Sequence, residues 1–368
     1  MGQQDQRNPL ETWPPRLFPH SRSCRCAWNP VNRQVSPELT SVSAILGLNS
    51  ISAADKRASA SRFKVAGPRN GSIASRQPNP LLAIMQAIPT ERAVDAGALG
   101  FMAKFLVQTT LPHSEQVGTQ YVRTDGNLTL RITDVGGTGL PYGSYPRLIM
   151  IWMTTEAVRT ANRELELGSS LSSFMAQLGL QATGGHWGTI PRFRDQMQRL
   201  VGAAITTRWS GESNGQAHSG GENLLVADRF HLWWTPQKLP VERPEKSSVT
   251  LSANFFEQLV AAPVPLDLRA VKALKKSPLA LDLYAWATRR VSYLPRPTLI
   301  AWESLRRSFG AGYADTPQGR SCFRVKVIEA FRRIVMVYSE LKIESQENGL
   351  LVRPSSPHIP KIIRIGVK

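Results

Sequence analysis

Little in this sequence points to covalent chemistry or to a stapled fold. Three cysteines occur in 368 residues, Cys24 and Cys26 close together and Cys322 far away, too few for a disulfide framework in a chain this long. Cys24 and Cys26 have no second pair nearby to complete a metal-ligand set. None of the six histidines, His20, His113, His186, His218, His231 and His358, stands in a His-x-His or His-Glu-x-x-His arrangement, so a metal-assisted nickase of the paired-histidine type lacks its ligands. Gly136-Gly137-Thr138-Gly139 has no lysine to complete a phosphate-binding loop, which argues against nucleotide hydrolysis. Tyr142-Gly143-Ser144-Tyr145 departs from the nucleophile-elbow pattern. No apolar run reaches membrane-spanning length, and the N-terminus lacks an uninterrupted apolar stretch ending in small residues. The expectation is a cytoplasmic, non-enzymatic protein with no cofactor, no metal and no membrane partner. Acidic residues are scarce as well: 27 Asp and Glu face 45 Lys and Arg, a net charge of +18. A surplus of that size fits a polyanionic partner.

Residues 1–80 are rich in Arg, Ser, Pro, Asn and Gln without a sustained period, which predicts a disordered extension. A start placed upstream of the true one, with Met85 or Met102 as internal starts, accounts for the same composition. Order is expected from about Leu81. Residues 121–124 and 127–132 flank Asp125-Gly126, the signature of a β-hairpin. Pro146 opens an apolar helix running through Met153 toward Arg159.

A serine-capped helix, Leu171 to Leu178, ends at Gly179 and is followed by a tight turn, Thr183 to Gly188. A second helix, Thr189 to Ala204, places Ile190, Phe193, Met197, Leu200, Val201 and Ala204 on one face and is read as carrying Arg192, Gln196 and Arg199 on the other. Short helix, glycine turn and amphipathic helix make a helix-turn-helix. Downstream, residues 206–209, 223–226 and 230–234 read as strands around a flexible Ser/Gly loop, 210–221, which completes a winged helix. Trp187, Trp233 and Trp234 are expected in core or hairpin packing rather than base stacking.

A second unit repeats the plan. A strand at 249–252, a short helix at 254–261 and a stiff break at Pro263-Val264-Pro265 precede helices at 266–275 and 278–292. Pro317 opens a further helix with Phe323, Val327, Phe331, Ile334 and Tyr338 on one side and basic residues elsewhere. Residues 341–344 and 350–353 form a hairpin around Asn348-Gly349. The predicted fold is α+β: a disordered extension (1–80), an N-terminal winged-helix domain (81–248) and a C-terminal winged-helix domain (249–368).

A helix fits the major groove of B-DNA, where Arg pairs with guanine and Gln with adenine. Candidate DNA-binding residues are therefore Thr189, Arg192, Gln196 and Arg199 on the first reader and Arg320, Arg324, Lys326, Arg332 and Arg333 on the second. Arg208, with Arg229, Arg243, Lys342 and Arg353, suits phosphate contact near the wings. A merely solvated helix face is the alternative for Arg192, Gln196 and Arg199, and simple solvation the alternative for the wing residues.

Several segments resemble the plasmid-encoded RepA replication-initiator family. They are Gly139-Leu140-Pro141-Tyr142-Gly143-Ser144-Tyr145-Pro146-Arg147-Leu148, Trp152 to Val158, Glu164 to Gly168, Phe174 to Leu180, Thr183 to Thr189, Arg192 to Leu200, Pro265 to Ala270 and Ser277 to Tyr284. The likeness runs from about Phe105 to Pro357. It implies binding to repeated sites (iterons) in double-stranded plasmid origin DNA, help in opening the duplex, and recruitment of the host helicase, polymerase and initiator proteins. It also implies autorepression as a homodimer. A transcriptional repressor with the same DNA-binding fold is the alternative function; a rolling-circle nicking enzyme is a third, weakened by the missing histidine pairs.

Overall fold

In a computed structural model of the chain, residues 92–213, 216–232 and 247–360 are described. The expected extension 1–80, with Cys24 and Cys26, lies outside them, as do Met85, Trp233, Trp234 and Arg243.

The chain opens with strand β1 (Leu99–Met102) and a one-turn helix α1 (Lys104–Gln108). Strands β2 (Gln120–Asp125) and β3 (Leu128–Asp134) pair around Gly126, whose φ of +57 explains a glycine after Asp125. Helix α2 (Ser144–Thr160) buries Leu148, Ile149, Met150, Ile151 and Met153, and its Pro146 sits in the first turn, where no amide donor is missed. After strand β4 (Glu164–Glu166) come helix α3 (Leu171–Gln177), capped by the Ser170 side chain accepting from Ser173 N, and helix α4 (Thr189–Val201). Phe193, Met197, Leu200 and Val201 of α4 are buried as their spacing predicts.

Helix α4 stops at Val201, three residues earlier than expected, because Ala203 begins β5 (Ala203–Ser213). Its partner β6 (Gln216–Leu225) runs antiparallel, Ala204 opposite Leu225 and Ser213 opposite Gln216. The expected flexible loop 210–221 is thus mostly strand. Trp209 explains part of this: its ring lies over Gly220 on the facing strand, occupying the space that a side chain there would need. Strand β7 (Ala227–His231) turns away from that hairpin to pair with β8 (Ser248–Leu251).

Next are helix α5 (Ala253–Ala261), strand β9 (Val264–Asp267), helix α6 (Leu268–Leu274) and helix α7 (Pro278–Val291). The Pro263-Val264-Pro265 break is a correction: Val264 and Pro265 open β9, which pairs with β1 in a two-stranded sheet, where each strand keeps an open edge and a proline can be accommodated. Strand β10 (Thr298–Ala301), helix α8 (Trp302–Phe309), helix α9 (Pro317–Val337) and strands β11 (Ile343–Gln346) and β12 (Gly349–Val352) complete the described chain. Ser277 caps α7 and Thr316 caps α9, each followed by a proline that suits the first helical position. Phe323, Val327, Phe331, Ile334 and Tyr338 all face the interior.

Four sheets result, ordered β1-β9, β2-β3-β5-β6, β4-β8-β7 and β10-β12-β11. Two of them mix strands from either side of the expected 248/249 boundary, which falls within β8. The described residues all fall in one compact unit. A polar knot reinforces the joint. Arg147 of α2 is fully buried, and all five of its donors are used: Nε and Nη2 on the two Asp282 oxygens of α7 (2.8 and 2.7 Å), the others on the carbonyls of Leu111, Pro112 and Gly143. His113 Nε2 lies 2.7 Å from the same carboxylate. Burial alone would raise the Asp282 pKa, but the Arg147 charge and the His113 and Arg147 hydrogen bonds reverse that and hold it below the usual carboxylate value.

Candidate nucleic-acid interface

The turn between α3 and α4 is built by two threonines and two glycines. Thr183 N donates to Thr189 Oγ1 and Thr189 N to Thr183 Oγ1, both at 2.9 Å, closing residues 183–189 into a loop. Gly185 takes φ +81, and a β-carbon on Gly188 would stand 2.2 Å from the Thr183 carbonyl. Thr189 therefore spends its hydroxyl on the turn, donating it to the Gln181 carbonyl. The closed turn pushes Gln181 to Trp187 into solvent. Trp187, expected to pack, is 85% exposed and touches His186 edge-on.

Of the three outward residues expected on α4, one is free to reach a groove. Arg192 is exposed, with Nε on the Gly188 carbonyl at 3.1 Å. Gln196 is a correction: it is 4% exposed, and its Oε1 accepts from Tyr142 N at 2.8 Å while its Nε2 donates to Asp195. Angular position explains this, because Gln196 lies one turn from Arg192 and from Leu200, on the flank that the Leu140–Tyr142 segment covers. Arg199 is largely buried, with Nε on Asp195 at 3.0 Å, Nη2 on Glu115 at 3.3 Å and its guanidinium over the Tyr142 ring at 5.3 Å. Gln198, missed in the sequence reading, is exposed, and Arg194 is half-buried; the helical wheel that located the core could have found both.

Arg208 is exposed on β5 and borders an open polar groove with Asn127, Thr129, Trp209 and Glu222. On α9 the five expected cations all face outward. Arg320 pairs with Asp315 at 3.0 Å, Lys326 with Glu329 at 2.9 Å, and the Arg324 guanidinium lies 5.7 Å from the Trp302 ring. Arg332 and Arg333 occupy the exposed side of the following turns, beside the solvent-facing Val325 and Met336. Of the outer wing residues, Arg229 is exposed, Lys342 is exposed and Arg353 pairs with Glu344. The fold thus leaves Arg192 exposed near the start of α4 and a basic surface along α9.

Residues 140–303 match the model of the family described as plasmid encoded RepA protein. Over that segment the chain is similar to the RepA family. The RepA segment covers α2, the α3–α4 helix-turn-helix, the β5–β6 hairpin and all elements through β10, ending in the first turn of α8. It is narrower than the resemblance read from the sequence, and α9 lies beyond it. Two crystal structures of domains 2 and 3 of RctB are also similar. The one of SeMet derivatives has 10% identity and a TM-score of 0.43, covering 67% of this chain and 94% of that chain. The other has 11% identity and a TM-score of 0.43, covering 68% and 96%. No curated protein matches the chain. Among the described residues no helix is long and apolar enough to cross a membrane.

Proposed function

We propose that the chain is a cytoplasmic, non-enzymatic plasmid replication initiator that binds repeated sites in origin DNA through two winged-helix units. In the second unit, helix α7, strand β10, helices α8 and α9 and the hairpin β11–β12 follow one another, and β10 pairs with β12. This order supports reading the unit as a winged helix, with α9 as its reader. In the first unit α2, β4, α3, α4 and the hairpin β5–β6 take the same roles, except that β4 pairs with β8 instead of the wing. The observation that carries the reading is the paired exposure: Arg192 is exposed near the start of α4, and Arg324, Arg332 and Arg333 line the outer face of α9. Gln196 and Arg199 drop out as base readers, so direct readout by the first unit rests on Arg192 and Gln198. Opening of the duplex and recruitment of the host helicase and initiator proteins follow from the RepA relationship alone.

Footprinting on the DNA flanking the gene tests this. Protection of several direct repeats supports initiation. Protection of one palindrome, with plasmid maintenance unaffected by deletion of the gene, replaces it with a repressor.

A further inference from the structure

Helix α6 and the residues after it carry Lys272, Lys275 and Lys276, and the fold sets this cluster against the first helix-turn-helix. The Lys272 stem covers Gly179, its Cγ 3.0 Å from where a β-carbon on that glycine would stand. Lys275 Nζ donates to the Gly179 carbonyl. Gly179, at φ +72, follows the C-cap of α3, so the lysines sit where the exposed loop leading to Trp187 and α4 begins. Burial, and then the charges of Lys272 and Lys276, lower the Lys275 pKa. No carboxylate among the described residues forms an ion pair with any of the three. Lys275 has a local use, since a cation at a helix C-terminus satisfies orphan carbonyls. The ammonium groups of Lys272 and Lys276 have none, and their charge adds to the repulsion felt by Lys275.

An uncompensated cluster of this kind suits an anion supplied from outside. The occupant that fits the surroundings is the DNA backbone, because the cluster borders the same loop that delivers Arg192 to a groove, and phosphate contacts set the register of a reader helix. We infer that Lys272, Lys275 and Lys276 form a backbone-phosphate contact for the first reader helix, contributed by the opposite half of the sequence. The inference rests on the DNA-binding reading and deepens it: the first unit is completed as a DNA-binding surface only by residues beyond the 248/249 boundary.

The test is the Lys272→Gln/Lys276→Gln pair in the full chain, leaving Lys275 on its carbonyl. Fluorescence anisotropy is measured across a salt series, with one labelled duplex from the DNA flanking the gene and one unrelated duplex. Weaker binding to both is expected, with the slope of log K against log salt shallower by about 1.8, since each phosphate contributes about 0.9. The ratio between the two duplexes stays unchanged, the thermal midpoint is retained, and Lys272→Arg/Lys276→Arg restores the slope. Lys276→Gln alone, at an exposed position, is expected to remove about 0.9 of slope, and it serves if the double variant does not fold. An unchanged slope in a folded variant overturns the inference. If Arg192→Ala still lowers discrimination in that case, the DNA reading survives and the lysine contact alone falls. If the unaltered chain binds neither duplex in a salt-dependent way, both fall together.

Discussion

Asp282→Asn isolates the central strut of the molecule. The substitution keeps the shape of the side chain and one oxygen, but it leaves the Arg147 guanidinium, fully buried, without a counter-charge. Removing one partner of a buried ion pair costs about 3–5 kcal/mol, because the desolvated charge that remains is uncompensated. Against a domain stability of roughly 5–15 kcal/mol, that is a large fraction. The structure also orders two further variants. Arg147→Met removes the charge but strands the carbonyls of Leu111, Pro112 and Gly143 together with the Asp282 carboxylate, so it is expected to cost more than Asp282→Asn. Arg147→Met/Asp282→Leu removes both charges and is expected to recover part of the loss, limited by those three carbonyls and by His113. Urea unfolding midpoints for the four proteins measure the order. A loss below about 1 kcal/mol for Asp282→Asn, the worth of an exposed pair, would refute the claim that this network is buried and joins α2 to α7.

Gln196 and Arg192 should separate stability from recognition. Gln196→Ala strands the Tyr142 amide and is expected to lower stability by about 1–3 kcal/mol with DNA discrimination unchanged, whereas Arg192→Ala should lower discrimination by roughly 1–3 kcal/mol at constant stability; parallel gel-shift and unfolding series check both. Stability should fall in acid. Burial lowers the His113 pKa, the Asp282 hydrogen bond opposing it only in part, and burial brings His358 down to about 4. Both rings bind protons more weakly folded than unfolded, so stability is lost as pH drops below the ordinary histidine value of about 6.5, for His358 until about pH 4. Asp282, also lowered, extends the loss through the carboxylate range. His358→Gln should shrink the drop in urea midpoint between about pH 7 and about pH 5; an undiminished drop would place His358 in solvent, not stacked 4.4 Å from Tyr338.

What was legible in the sequence was local. Ser277-Pro278 and Thr316-Pro317 announce helix starts because cap and proline act within one turn, and the spacing of Phe323, Val327, Phe331 and Ile334 fixes the buried side of α9. Strands β1, β4 and β10 went unread. Each is four residues or shorter and pairs with a partner remote in the chain, so strand formation there is a property of the tertiary pairing. On α9 both the charge and its exposure were legible, whereas on α4 the charge was legible and its accessibility was not. Arg192, Gln196 and Arg199 share one stripe of α4, but a separate segment, Glu115 and Leu140 to Tyr142, covers two of the three. Lys272 of α6 and Lys275 just after it carried no signal at all, since only the fold brings them to Gly179.

The coupling of the two halves has a consequence for the DNA. The β1–β9 and β4–β8–β7 sheets and the Arg147–Asp282 pair all cross between the halves, so α4 and α9 are held in one unit and cannot adjust their separation without breaking buried contacts. On the proposed DNA-binding reading, two readers at fixed separation demand two half-sites at fixed spacing, set by the helical repeat of about 10–10.5 base pairs. In an origin repeat that both readers contact, inserting about half a turn should abolish simultaneous engagement by rotating one half-site away. Inserting a full turn of about 34–36 Å restores the facing but not the distance, and should abolish it too. Footprints that contract to one half-site in both cases are the expected result. A footprint that spans both half-sites after the full-turn insertion would mean that the halves separate on DNA, and that the buried joint opens at a cost the DNA contacts can meet.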